Sequence, residues 1–132
     1  IGIGGNVLFA LNSDQLQPEG EELLRSLATP LAGYLAAREQ ILMVSGFTDD
    51  RPVRASNGQF TDNWELSAQR ALTVTRSLID AGVPADAVFA AAFGPQQPVA
   101  SNDDALGRAK NRRVEIAPMP RPARSPATTD GR

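Results

Sequence analysis

The segment Gly46-Phe47-Thr48-Asp49-Asp50 is followed closely by Asn63-Trp64-Glu65-Leu66-Ser67-Ala68-Gln69-Arg70-Ala71, so an acidic stretch precedes an arginine on one short run of chain. A carboxylate can accept from an ammonium, and a guanidinium offers paired donors that match a carboxylate. If Asp49 and Arg70 face one space, a small zwitterion carrying both groups is the ligand that suits them. Each residue also has an ordinary explanation. Asp commonly caps a turn at a strand end, and a helix Arg is commonly a solvated side chain. A bare surface bridge between the two would contribute only about 0–1 kcal/mol. Asp49 and Asp50 are adjacent, so they point apart at a strand end, which disfavours the paired carboxylates of a wall hydrolase. Asp49, Asp50 and Asp62 lack the regular spacing of a calcium loop.

Composition narrows the chemistry. The chain has 132 residues, the size of one domain, with 42% hydrophobic and 21% charged residues. It contains no cysteine and no histidine, which removes disulfides, thiolate metal sites and any His-dependent nucleophile system. The formal charge is −2, from a mildly acidic body and a tail with three Arg and one Asp over residues 118–132. An acidic body argues against a nucleic-acid partner, which requires a basic face. The first residue is Ile1 and no apolar run reaches about 18 residues, so a fragment or processed form is expected, with any membrane attachment upstream.

Those residues must be positioned by a small set of elements. Asn6-Val7-Leu8-Phe9 reads as a short strand after a glycine-rich lead-in. Pro18 suits the first turn of a helix whose Leu23, Leu27, Leu31 and Leu35 form a stripe, with a kink or break expected at Pro30. Ile41-Leu42-Met43-Val44 reads as a buried central strand that delivers Gly46 to Asp50 at its end, and residues 51–62 read as a loop. Asp62-x-x-Glu65 resembles a capping box opening a second helix. At about 100° per residue, Ala68, Ala71, Thr75, Leu78 and Ile79 share its core face. Asn63, Leu66 and Arg70 fall on a flank between core and solvent, and Gly82 ends the helix. Val88 to Phe93 is a third strand, and Val114 and Ile116 belong to a fourth, whose alternation sends Arg112 and Arg113 to opposite sides. Asp103-Asp104 reads as a solvated loop or helix cap, and Trp64 as a packing anchor. The expected class is α+β, β-α-β-α-β-β, with a mixed four-stranded sheet and helices on one face. Residues 1–117 form the domain, and 118–132, with four prolines, read as a disordered tail.

Taken together, Val7-Leu8-Phe9, Gly46-Phe47-Thr48-Asp49, Leu66-Ser67-Ala68-Gln69-Arg70-Ala71 and Asn111-Arg112-Arg113-Val114-Glu115-Ile116 resemble the OmpA-like peptidoglycan-binding domain, in order and from about residue 5 to 117. Asp49-Asp50-x-Pro52 and Asn63-Trp64-Glu65-Leu66-Ser67 are most similar to its MotB-like branch. The resemblance implies non-covalent binding of the peptidoglycan stem peptide through diaminopimelate, with no cofactor, no metal and no catalysis. It implies Asp49, of the Thr48-Asp49 pair, at the ligand ammonium and Arg70 at its carboxylate. It also implies Asn63 and Leu66 lining the groove, and Arg112 as the supporting arginine of the Asn-Arg-Arg run. Two positions depart from the family pattern. Phe47 stands where a His is usual, and Gly94-Pro95-Gln96-Gln97-Pro98 lacks the usual Glu.

The leading expectation is therefore a module tying an upstream membrane or lipoprotein segment to the cell wall, in the periplasm of a Gram-negative bacterium. The alternative is an interaction or homodimerisation domain of an envelope or motor complex, with little wall affinity.

Overall fold

The computed structural model describes residues 1–10, 13–53 and 60–122. Along the chain come β1 (Gly2–Gly4), α1 (Gly5–Leu8), α2 (Pro18–Arg38), β2 (Gln40–Phe47), α3 (Asn63–Asp80), β3 (Val88–Gly94), α4 (Ala105–Asn111) and β4 (Arg113–Pro120), with a 3₁₀ turn at Ala85–Ala87. The four strands form one mixed sheet in the order β1-β4-β2-β3. β2 is antiparallel to β4 and parallel to β3, the second pairing being made through the α3 crossover. The α+β class expected from the sequence is the one observed.

The core lies between the inner strands and the two long helices. Leu42 and Val44 of β2 and Val114 and Ile116 of β4 close against Leu24, Ala28 and Leu35 of α2 and Ala71, Val74 and Leu78 of α3. On α2 the most deeply buried positions are Gly20, Leu24, Ala28 and Leu35, while Leu23, Leu27 and Leu31 pack half-buried beside them. The expected leucine stripe is thus rotated by about one position except at Leu35. α2 also runs unbroken across Pro30. Pro30 and Ser26 are both exposed, so the Ser26 carbonyl left without its helical donor faces water.

The first strand is displaced from its expected place. Gly2–Gly4 pairs with β4, whereas Asn6, Val7 and Leu8 lie in the helical turn α1, and Phe9 makes only an isolated bridge to Leu16. Pairing with β4 recruits glycines that have little strand preference of their own. At the other end β4 continues past residue 117, with Pro118, Met119 and Pro120 opposite Leu42, Ile41 and Gln40. The reading of a tail from 118 therefore gives way to strand as far as Pro120, and residues 123–132 lie outside the described residues. Of the 51–62 loop, residues 54–59 lie outside them too.

The register of the sheet sets the site. Phe47 pairs with Arg113, so the next step along both strands brings Thr48 beside Arg112. Gly4 also pairs with Arg113, which places Gly5 against Arg112, and the Gly5 N–H donates to the Arg112 carbonyl at 2.8 Å. α3 crosses very close to the end of β2. A Cβ on Gly46 would stand 2.1 Å from the Ser67 carbonyl oxygen, so only glycine admits this approach. Ser67 is bonded to both strand and helix, accepting from the Gly94 N–H at 3.0 Å and donating to the Trp64 carbonyl at 3.0 Å.

Candidate functional site

A cleft of about 720 Å³ opens where the ends of β2 and β4, the start of α3, α1 and α4 meet. Among its lining residues are Thr48, Asp49, Asn63, Leu66, Arg70 and Arg112, the six positions singled out from the sequence.

Asp49 lies just beyond the end of β2 and is only 8% exposed. Its Oδ1 accepts from the Arg51 N–H at 3.0 Å, and its Oδ2 accepts from Arg112 Nη1 at 2.6 Å. The Thr48 hydroxyl donates to the Asp49 carbonyl at 2.7 Å, and the Thr48 N–H donates to the Gly94 carbonyl at 2.8 Å, tying this loop to β3. The Asn63 amide donates to the Arg51 carbonyl at 2.8 Å and to that of Asp49 at 3.3 Å. Asn63 thus staples the acidic loop to the start of α3. That start is itself capped, with Asp62 accepting from the Glu65 N–H at 2.9 Å. The Glu65 carboxylate accepts from the Thr61 N–H at 3.0 Å, one residue upstream of a standard capping box.

Arg70 is placed differently from the flank position expected of it, being 6% exposed. The chain ahead of α2 folds over it. Arg70 Nε donates to the Ser13 carbonyl at 2.9 Å, and the guanidinium carbon stands 4.9 Å from the centre of the Phe9 ring. Among the described residues no acceptor is bonded to the two terminal nitrogens. Burial lowers the Arg70 pKa to about 10, with the Arg112 charge acting the same way and Asp14 and Asp49 opposing it. It stays cationic near neutral pH. The direct ion partner of Asp49 is Arg112 rather than Arg70. Asp49 and Arg70 share the cleft and feel one another's charge without bridging.

Within the Asn-Arg-Arg run the roles divide cleanly. Asn111 is fully buried, and its side chain accepts from the Val99 and Ala100 N–H groups while donating to the Ala100 carbonyl and to Asn102. Arg112 enters the cleft. Arg113 turns to the other face of the sheet, where it lies 3.8 Å over the Phe47 ring and pairs with Glu115 at 2.6 Å. Phe47 itself stacks on Phe93 with ring centres 4.9 Å apart. Neither Phe47 nor the 94–98 loop lines the cleft, so the two departures from the family pattern lie outside its wall. Trp64 is half exposed, against Gly94.

Several cleft residues escaped the sequence reading. Gly5 comes from the glycine-rich lead-in and Asn6 and Phe9 from the segment read as a strand, and Gln17 donates to the Asn6 and Phe9 carbonyls at 2.8 and 3.0 Å. Arg108 comes from α4, a helix not foreseen, although Asp104 does cap it through the Gly107 N–H at 2.7 Å. The sequence signal for that helix was Asp104 three residues ahead of Gly107, with Arg108 and Lys110 in the last turn.

A profile of the OmpA family matches residues 8–112. Motility protein B of Bacillus subtilis is 43% identical over 123 residues, covering 89% of this chain and 46% of that protein. The peptidoglycan-binding protein ArfA of Mycobacterium tuberculosis is 37% identical over 113 residues, covering 86% of this chain and 32% of that protein. The chain therefore spans less than half the length of these relatives. Among solved structures, a MotB-like protein from Desulfovibrio vulgaris superposes with a TM-score of 0.80 at 34% identity, covering 92% of this chain and 73% of that one.

Proposed function

The chain belongs to the OmpA family, and from that premise we propose that it binds peptidoglycan non-covalently, through the diaminopimelate residue of the stem peptide. Arg70 takes the diaminopimelate carboxylate with its two terminal nitrogens, and Asp49 takes the neighbouring ammonium. Arg112 holds Asp49 in place and adds positive charge beside the carboxylate. Thr48 and Asn63 fix the acidic loop, and Leu66 forms an apolar wall along the ligand stem. No bond is made or broken. The module ties a membrane or lipoprotein segment upstream of it to the wall, in the envelope space that the wall occupies.

One observation carries this reading. A buried arginine, bonded to Ser13 and lying over Phe9, lines the same cleft as a nearly buried carboxylate. A buried cation is costly unless an anion meets it, so a cleft built this way favours a ligand that brings one. Co-sedimentation with purified sacculi tests it. The wild-type domain is expected to pellet with the sacculi and Arg70→Ala to remain in the supernatant, with both giving the same circular dichroism. Equal pelleting of the folded variant would overturn the assignment. The same runs followed by light scattering distinguish wall binding from self-association with little wall affinity.

A further inference from the structure

On the premise that the cleft holds a stem peptide, we propose that Arg108 reads a second free carboxylate of that peptide, so the preferred ligand is a stem peptide left unamidated at that position. Among the described residues the cleft is lined by four guanidiniums, of Arg51, Arg70, Arg108 and Arg112, and by the single carboxylate of Asp49. Asp49 and Arg112 already meet at 2.6 Å. A zwitterionic centre brings one charge of each sign, so it leaves the positive excess of the cleft unchanged. The Arg112 charge that helps lower the Arg70 pKa is part of the same excess. A further anionic group on the ligand relieves it.

Arg108 is the guanidinium placed to receive that group. It lies in the last turn of α4, four residues before Arg112, which caps the end of that helix, and both line the cleft. Its Nη1 donates to the Asn102 carbonyl at 3.0 Å. That bond fixes the plane of the fork, and no acceptor is bonded to Nε or Nη2 among the described residues. Arg108 as a residue is half-buried, where a charge-assisted bond is less screened than on open surface. Beyond the zwitterionic centre, a stem tripeptide carries two more carboxylates, on its D-glutamyl residue and on the other end of diaminopimelate, and amidation removes the charge of either.

Calorimetric titration with synthetic L-alanyl-γ-D-glutamyl-meso-diaminopimelate, and with its single amide at each of those two positions, tests this. The wild-type domain is expected to bind one of the amides about tenfold more weakly than the free acid, the loss of one charge-assisted contact. Arg108→Gln is expected to bind the free acid about tenfold more weakly and to bind that amide as the wild type does. Arg108→Lys, which keeps the charge and guards against a folding failure in the first variant, is expected to retain part of the preference for the acid. Equal weakening of acid and both amides by Arg108→Gln would reduce Arg108 to a support for the 102 turn and overturn the proposal. Unchanged affinity for the acid would overturn it as well. If the wild-type domain bound none of the three peptides, the stem-peptide reading itself would fall.

Discussion

Burial and the neighbouring Arg112 charge hold the Arg70 pKa down at about 10, below the ordinary guanidinium value. The folded state therefore disfavours the charged form of this side chain. The sign follows from linkage: the penalty is in full force below about pH 10 and lifts as pH rises from there towards the ordinary guanidinium value. Arg70 thus works against stability at neutral pH, as expected of a residue kept for the proposed ligand. Arg70→Met is expected to leave the thermal midpoint unchanged or raised while abolishing sacculus binding, a split that calorimetry and co-sedimentation read together. Arg70→Lys keeps a charge but loses the planar fork, and its binding is expected to fall by about tenfold. A large loss of stability in Arg70→Met would assign the residue to the scaffold. Asn111 is the opposite kind of residue. Its side chain satisfies four backbone or side-chain groups from full burial. Asn111→Ala is expected to cost roughly 1–3 kcal/mol or more in urea unfolding, by stranding buried polar groups.

At the level of elements, the site depends on how closely α3 approaches β2. Gly46→Ala places a methyl carbon 2.1 Å from the Ser67 carbonyl, so helix or strand must move. The expected cost is about 1–3 kcal/mol or more, read by chemical unfolding, with loss of binding even in the fraction that folds. Leu24→Ala opens the α2 side of the core without touching the cleft, and about 2–5 kcal/mol of stability is expected to be lost. A variant of that kind that still folds should bind sacculi normally. Much of this arrangement was legible in the chain. The apolar run of β2, the Asp62 cap and Gly82 bracket β2 and α3 correctly, because their signals are local. The burial of Arg70 was not legible, since Phe9 and Ser13, which meet it in space, lie far from it in sequence. A helical wheel assigns a residue to an arc but contains no information about what folds over that arc. α1 was misread for a similar reason: Val7-Leu8-Phe9 has strand-like composition, yet β4 pairs with the glycines just before it. Arg108 was missed because α4 is short and its apolar periodicity weak.

Across the whole molecule, a net charge of −2 coexists with a cleft walled by arginines. On the proposed function, attraction to the wall arises locally in the cleft, not from the overall field, and rising salt should weaken sacculus binding only as far as partly buried charges are screened. A steep salt dependence, like that of a basic surface patch, would contradict this picture. The relatives are more than twice the length matched by this domain. The most direct test uses the isolated ligand group. Titrated calorimetrically with meso-diaminopimelate, the wild-type domain should bind at one site per chain, and Asp49→Asn and Arg70→Gln should each lose that binding while staying folded. Binding of diaminopimelate by both variants at wild-type strength would show that this acid and this guanidinium do not read the ligand.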